Sequence, residues 1–402
     1  MQCRSCSSTR LEQIVDLKSQ PLSNAFLTKE QLDKPEVTYP LIAYLCLECM
    51  LMQVGAYEAR ENIFNEEYVY FSGQSQDWLK HCEQYANKMI ERFNPEYVME
   101  IASNDGSLLK YFDRKGIQVL GVEPSRSVAE TAIHSGINTI VDFFGENFAK
   151  NLPRKYDVIT ANNVLAHVPD LNDFIAGIKE ALAPKGVVTV EFPYVANLLM
   201  DLQFDTIYQE HFSYFSLMSV RKAFNNHGLE IFDVDELPTH GGSLRIYASH
   251  PGVYEQTGAY RKIDAYEIID NTISPVTVKR YREFGSQVKK YKRDFLSTLI
   301  KLKTVGETIV AYGAPAKGNT LLNYCGIGTD FIDYCVDSTP FKQGKYLPGS
   351  HIPVFHPDYI MDTKPSVIYV QPWNWKDEIL AKLAFTKEWD AKILVRTEFF
   401  QP

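Results

Sequence analysis

Apolar positions change their spacing along this chain, and the changes divide it. Residues 1 to about 70 show only short alternations, such as Leu41-Ile42-Ala43-Tyr44-Leu45, with Pro21 and Pro40 and no long periodic segment. A module of that kind buries little core and needs a staple. From Ser75, a candidate helix cap, Trp78, Cys82, Tyr85, Met89 and Phe93 recur at helical intervals. Over 97–250 short apolar runs (97–101, 118–123, 138–141, 157–161, 186–192) alternate with helical stretches (107–114, 126–134, 170–182). This predicts a parallel sheet covered by helices on both faces. Two further runs, 231–237 and 243–248, read as an antiparallel addition. A long amphipathic helix is expected over 276–303, with Tyr281, Phe284, Val288, Tyr291, Phe295, Leu299 and Leu302 on one face. Strands at 308–312, 331–336, 366–370 and 392–395 then announce a second Rossmann-like unit. The expected architecture is α/β in three parts, 1–70, 71–255 and 256–402.

Composition narrows the chemistry. A net charge of −9 over 402 residues weighs against nucleic acid as a partner. No run approaches the roughly 18 apolar residues of a membrane span. The start, Met1-Gln2-Cys3-Arg4-Ser5-Cys6, lacks the basic and apolar regions of a secretory leader. A cytoplasmic protein is expected. Four of the seven cysteines form two CxxC pairs, Cys3 with Cys6 and Cys46 with Cys49; Cys82, Cys325 and Cys335 stand apart. In a reducing compartment such pairs read as metal ligands. Four thiolates make a closed tetrahedral set, so one structural zinc is expected.

The run Val98-Met99-Glu100-Ile101-Ala102-Ser103-Asn104-Asp105-Gly106 ends a strand on an acid and turns through small residues into a helix. That is how a doubly wound sheet cradles an adenosyl cofactor. Glu123, ending the next strand, stands where an acid accepts both ribose hydroxyls. The GxGxxG of dinucleotide sites is absent, which favours S-adenosylmethionine (SAM) over NAD. Asn162 and Asn163, beyond the 157–161 strand, form a further wall. Tyr208-Gln209-Glu210-His211 joins an imidazole to a carboxylate and a phenol, an acid–base set or a locally satisfied histidine. Tyr312-Gly313-Ala314-Pro315-Ala316-Lys317 follows a strand and opens a helix. It reads as a diphosphate cradle or as a tight turn alone.

Taken in order, these segments resemble the deoxysugar C-methyltransferases that act on nucleotide-linked 4-keto-6-deoxysugars. The likeness spans essentially the whole chain. It rests on the cysteine pairs, Tyr68-Val-Tyr70-Phe-Ser72, Glu100-Ile-Ala-Ser-Asn-Asp-Gly106, Phe143-Phe-Gly145, Asn163-Val-Leu-Ala-His167 and Ile207-Tyr-Gln-Glu-His211-Phe. It continues through His240-Gly-Gly-Ser243-Leu-Arg245, Tyr312-Gly-Ala-Pro-Ala-Lys317, Lys342-Gln343 and Pro348-Gly-Ser-His351-Ile-Pro.

The resemblance implies a zinc module, a SAM domain and a Rossmann-like domain that holds a nucleotide-sugar, here a dTDP-linked one. It implies His211 as the base that removes the C-3 proton, supported by Glu210, with Tyr208, His167 and Tyr68 (or Tyr70) lining the site. Glu100, Ala102, Asn104, Gly106, Glu123, Asp142, Phe143, Asn162 and Asn163 would hold SAM. His240, Gly241, Ser243, Arg245, Tyr312, Lys317 and Lys342 would contact substrate. Ala102 stands where many methyltransferases have glycine. The rival readings are an O- or N-methyltransferase on a sugar or small metabolite, and a zinc-bearing Rossmann binding protein without turnover. Oligomeric state is left open, a monomer being compatible with the sequence.

Overall fold

The computed structural model describes residues 1–59, 72–74, 76–268, 274 and 276–396. The chain forms two compact units. One comprises Met1–Leu11, Cys46–Val195 and Phe212–Ser274; the other comprises Glu12–Leu45, Ala196–His211 and Pro275–Pro402.

The first unit is built on a seven-stranded sheet. Its strands lie in the order Glu230–Leu237, Ser243–Ser249, Leu182–Pro193, Tyr156–Asn162, Tyr97–Ile101, Gln118–Val122 and Thr139–Ile140. The last five are parallel. Ser243–Ser249 pairs antiparallel with both of its neighbours, as the sequence pattern predicts. The chain runs outward from Tyr97–Ile101 in one direction and then resumes on its other side at Tyr156–Asn162. That reversal opens a crevice at the carboxyl ends of these two strands. Helix Gln76–Phe93 packs Cys82, Tyr85 and Met89 onto Val98, Val158 and Val187. The expected cap, Ser75, lies outside the described residues. Two helices that the periodicity did not announce, Leu217–Asn226 and Gly258–Ile268, complete the unit.

The second unit contains a five-stranded parallel sheet in the order Val354–Phe355, Tyr334–Val336, Ile309–Tyr312, Val367–Val370 and Lys392–Val395. Its switch point falls between Ile309–Tyr312 and Val367–Val370. Helix Val278–Thr304 buries Tyr281, Phe284, Val288, Tyr291, Phe295 and Leu299; the expected Leu302 is only half-buried. Each fully buried side chain of this size contributes roughly 1.5–3 kcal/mol. Thr277 caps the helix by accepting from the amide of Arg280 at 3.2 Å.

The N-terminal region departs from the expected irregular module. Leu11–Gln20 is a ten-residue strand and Tyr39–Cys46 an eight-residue one. The first escapes a period-two reading because Lys18 sits at φ +70°. There its amide turns back to Asp16 Oδ1 at 2.8 Å. After Leu17 the next buried residue is therefore Gln20, three positions on instead of two.

Gly285 tests the packing of the long helix. A Cβ there would stand 2.1 Å from the backbone oxygen of Ile14, whereas Gly258 faces open space. Gly285→Ala should lower stability by roughly 1–3 kcal/mol. Gly258→Ala should be neutral or raise it by up to about 1 kcal/mol. Thermal and urea unfolding of both variants checks this; equal midpoints would refute the contact.

Candidate active site and zinc centre

Two matching knuckles bring the cysteines together. In each CxxC pair the next residue takes a left-handed conformation, Ser7 at φ +59° and Met50 at φ +59°. Its amide donates back to the first cysteine's carbonyl: Ser7 to Cys3 and Met50 to Cys46, both at 2.9 Å. The four Sγ atoms all lie within 4.8 Å of one another, with Cys3–Cys49 at 3.5 Å and Cys6–Cys46 at 3.6 Å. Zinc–sulfur bonds of about 2.3 Å in a tetrahedron require sulfur separations of about 3.8 Å. The cluster is already near that size, and Cys3, Cys46 and Cys49 are buried. No other His, Cys, Asp or Glu joins them among the described residues, so the set suits a structural ion. Around it, Arg4 donates to Val54 O and Gln53 Oε1, and Asn172 Nδ2 donates to Arg4 O at 3.0 Å. The strand Met52–Val54 pairs with Ser213–Tyr214. The knuckles are thereby attached to the sheet-bearing body of the first unit.

At the crevice of the seven-stranded sheet the backbone turns through Ala102 at φ +57°, Asn104 at +50° and Gly106 at +74°. A left-handed Ala102 explains why glycine is the easier residue there. A Cβ on Gly106 would approach Ala132 and Ile137 at 3.1 Å, so this position also fixes close helix packing. Glu123 holds the turn: its Oε2 accepts from Asn104 N and its Oε1 from Ser125 N, each at 2.9 Å. Burial raises its carboxyl, and these two amides oppose the shift. Glu100 is also buried, and burial, then the charges of Asp105 and Glu123, push it well above the usual carboxylate range. Glu100 Oε2, both polar atoms of the Asn162 amide and Asn163 Oδ1 are buried with no hydrogen-bond partner among the described residues. Leaving such groups unpaired costs about 1–3 kcal/mol each. Their clustering at the carboxyl ends of two adjacent central strands fits a polar ligand such as the amino-acid end of SAM. Asp142 is exposed and accepts from the amide of Phe143 at 2.7 Å.

Sequence reasoning missed Asp105. Its carboxylate accepts from Ser72 Oγ at 3.0 Å and Gly73 N at 2.9 Å, while Asn104 Oδ1 accepts from Ser72 N. The stretch just before helix Gln76–Phe93 is therefore fastened to the cofactor turn. Tyr68 and Tyr70 lie outside the described residues.

A second missed group stands beside the crevice. Glu191 aligns with Asn162 on one side and Arg245 on the other. It accepts from Arg245 Nη2 at 2.7 Å, His81 Nε2 at 3.1 Å and Thr239 Oγ1 at 3.0 Å. Burial alone would raise its carboxyl, but His81 and Arg245 bring it down to about 2. Arg245 is 3 % exposed and lies over the Tyr85 ring, so its charge is satisfied inside the protein. Ser243 is buried and donates to Thr239 O, whereas His240 is exposed at φ +55° beside Gly241. His167 ends the short turn Leu165–His167 and is half-buried.

Of the predicted acid–base residues in the second unit, His211 and Tyr208 meet one another, while Glu210 bonds to Asn24. His211 Nδ1 lies 3.1 Å from Thr206 O. A carbonyl only accepts, so Nδ1 carries the proton and Nε2 keeps the lone pair. Tyr208 OH stands 2.8 Å from that Nε2, with the rings 4.1 Å apart. Glu210 is buried and accepts from Asn24 Nδ2 at 2.8 Å. The turn Phe204–Thr206 that offers the carbonyl is itself anchored. Asp205 pairs with Arg396 at 3.2 Å and accepts from Trp373 Nε1 at 2.7 Å.

At the other switch point, Tyr312 ends its strand half-buried. Lys317 donates to Asn374 Oδ1 at 2.8 Å and lies over Trp373; burial pushes its ammonium down to about 8. Lys342 donates to Ala314 O at 3.0 Å and stands 3.4 Å from Asp337 Oδ2.

Comparison with known proteins gives three family matches along the chain. They are "Putative zinc binding domain" over residues 3–64, "Methyltransferase domain" over 75–234 and "C-methyltransferase C-terminal domain" over 238–397. The chain is 32% identical to C-methyltransferase NovU of Streptomyces niveus over 386 residues, covering 94% of this chain and 91% of that protein. A ubiquinone biosynthesis O-methyltransferase of Serratia proteamaculans (strain 568) is 30% identical over 96 residues, 23% of this chain and 40% of its own. Among solved structures, magnesium protoporphyrin IX methyltransferase from Synechocystis PCC 6803 with bound S-adenosylhomocysteine gives a TM-score of 0.36 at 15% identity. That match covers 47% of this chain and 91% of that one.

Two outcomes follow from these geometries. Cys49→Ser should lower bound zinc well below one equivalent per chain and reduce thermal stability, since ligand loss removes folding free energy. Metal analysis of the purified variant alongside its melting curve checks this, and a full equivalent retained would count against the site. Glu123→Ala removes a charged acceptor worth roughly 1.5–3 kcal/mol. SAM affinity measured by calorimetry should fall at least about tenfold.

Proposed function

The chain belongs to the SAM-dependent sugar C-methyltransferase family, and from that premise we propose that it methylates C-3 of a nucleotide-linked, dTDP-type 4-keto-6-deoxysugar. The observation that supports this reading best is the His211 array. A ketone at C-4 makes the C-3 proton weakly acidic, and removing it needs a neutral imidazole with a fixed lone pair. Thr206 O sets that tautomer, leaving Nε2 as the accepting atom. At rest the Tyr208 hydroxyl donates to Nε2. When the Tyr208 hydroxyl turns its hydrogen from Nε2 toward the ketone oxygen, the single Nε2 lone pair is freed to take the C-3 proton, and the same hydroxyl donates to the enolate oxygen as it forms. Placing a donor where charge develops is a large part of such catalysis. His167 and Tyr68 belong to the same proposal as sugar contacts.

SAM, when bound, supplies an electrophilic methyl group. Glu123 would hold its ribose, and Glu100, Asn162 and Asn163 its polar end, with Ala102, Asn104 and Gly106 shaping the turn and Asp142 and Phe143 closing the adenine side. Division of labour follows the three expected parts: zinc in 1–70, cofactor in 71–255 and nucleotide-sugar in 256–402. Tyr312, Lys317, Lys342, His240 and Gly241 are the proposed substrate contacts. Ser243 and Arg245 would act through the buried network around Thr239 and Glu191. No helix among the described residues is long and apolar enough to cross a membrane. A cytoplasmic location is part of the same reading.

His211→Asn keeps shape and some hydrogen bonding but cannot take the proton at neutral pH. A positioned general base contributes about 10²–10⁴-fold, so turnover should fall at least about a hundredfold while SAM binding stays unchanged. Wild-type protein with S-adenosylhomocysteine in heavy water should exchange the C-3 hydrogen for deuterium, and the variant should not. A methyl group found on oxygen or nitrogen by product NMR would replace this function with one of its rivals.

A further inference from the structure

Glu210 is 8 % exposed, yet its carboxylate is reached by Asn24, an exposed residue nearly two hundred positions away in sequence. The loop carrying Asn24 is pinned on both sides. Gln209 Nε2 donates to Gln20 O at 3.0 Å, and Asn319 Nδ2 donates to Ser23 O at 2.7 Å. Within the loop, Ala25 N returns to Leu22 O and Phe26 N to Asn24 O. The backbone at 24 is therefore set before its side chain acts. The Asn24 amide can aim at Glu210 with little further loss of entropy.

We infer that Asn24 is a positioning residue of the reaction, fixing the rotamer and the charge state of Glu210. This rests on the proposed function and on the role that the resemblance implies for Glu210 in supporting the base. The chemistry is that of one side-chain donor, among the described residues, on a buried acid. Burial raises the carboxyl to about 7, and the Asn24 hydrogen bond opposes that rise. The loop at 20–26 carries no charged residue. Tyr208 and His211 are the titratable groups on Glu210's own segment. The helix Ala316–Cys325 behind the loop contributes Lys317, Tyr324 and Cys325. None of these is among the groups that move Glu210. Among the described residues, Asn24 is thus the polar side chain that favours the ionised form of Glu210.

The test uses the full-length, zinc-loaded protein. Infrared titration of carboxyl groups should show, in wild type, a band that loses intensity with a midpoint near neutrality and is missing in Glu210→Gln. In Asn24→Ala the midpoint should move up by about one pH unit, the scale of a hydrogen bond to a charged group. Asn24→Asp, which sets a second carboxylate beside the first, should also move it up. Sign and window follow: with a higher folded-state value, less Glu210 is ionised at pH 7. In assays with SAM and a dTDP-4-keto-6-deoxyhexose, kcat of Asn24→Ala should therefore fall at pH 7 with KM unchanged, and recover as pH rises past 8. A merely structural role would lower the melting point and kcat at all pH values alike. An unchanged midpoint in Asn24→Ala overturns the pairing. Normal turnover by Glu210→Gln overturns the role in the reaction, while the infrared shift still decides the pairing.

Discussion

The backbone between Ile101 and Gly106 has to leave the central strand without covering that strand's carboxyl end. A right-handed turn would send side chains across the crevice. Three left-handed residues carry the chain aside, at the expense of strain on Ala102 and Asn104. That strain persists only because other groups over-determine the turn. Glu123 takes the Asn104 amide from one side, and Asp105 binds Ser72 and Gly73 on the other. Three acids are drawn to one spot as a result, and Glu100 among them is left buried with an oxygen that has no hydrogen-bond partner among the described residues. A cationic or hydrogen-donating ligand relieves the arrangement. The run Glu100–Gly106 therefore keeps the strand's carboxyl end open through its conformation, with Glu123, Ser72 and Gly73 holding it there.

How much of this was legible depended on how far apart the cooperating residues lie. Strands of the parallel sheets were readable because each is a short apolar run closed by a turn, and the long helix because its apolar face repeats for 27 residues. The zinc cluster was readable because each CxxC knuckle is complete within five residues. Strand Leu11–Gln20 was not, because the left-handed Lys18 shifts which side chains are buried. Helix Gly258–Ile268 was hidden for a different reason. Its buried residues Tyr260 and Ile263 are few, and its polar Glu267 is buried instead of exposed, accepting from Tyr194 OH, Leu217 N and Met218 N.

The same distance rule governs the site. Glu123, Asn162 and Asn163 could be proposed as cofactor contacts because they stand at strand ends beside a switch point. Glu191, His81 and Asn24 could not, since each acquires meaning only through a partner more than fifty positions away. Arg245 shows the converse. As a charged residue in a polar motif it reads as a ligand contact, but strand register sets it opposite Glu191. A buried arginine and glutamate so matched satisfy each other at a cost in desolvation that favours keeping both. Removing either would leave the other charge unpaired.

The two parallel sheets solve the turn problem with the same device, and the difference between them bears on what each can bind. In the first unit Glu123 ends the second strand, accepting from Asn104 N in the turn after the first strand and from Ser125 N two residues on. In the second unit Asp337 ends the corresponding strand, accepting from Ala314 N in the matching turn and from Thr339 N two residues on. Beyond this the two sites part. Lys342 stands over Asp337 and holds the Ala314 carbonyl as well, and its charge keeps the Asp337 carboxyl below its ordinary range despite burial. Among the described residues no such cation stands beside Glu123, and burial raises it. An acid already neutralised by lysine has little to gain from a pair of ribose hydroxyls. An acid held only by two amides still has lone pairs and charge to offer. The shared scaffold is thus tuned by one lysine: Glu123 keeps accepting capacity at its strand end, whereas the Asp337 carboxylate is already matched by Lys342.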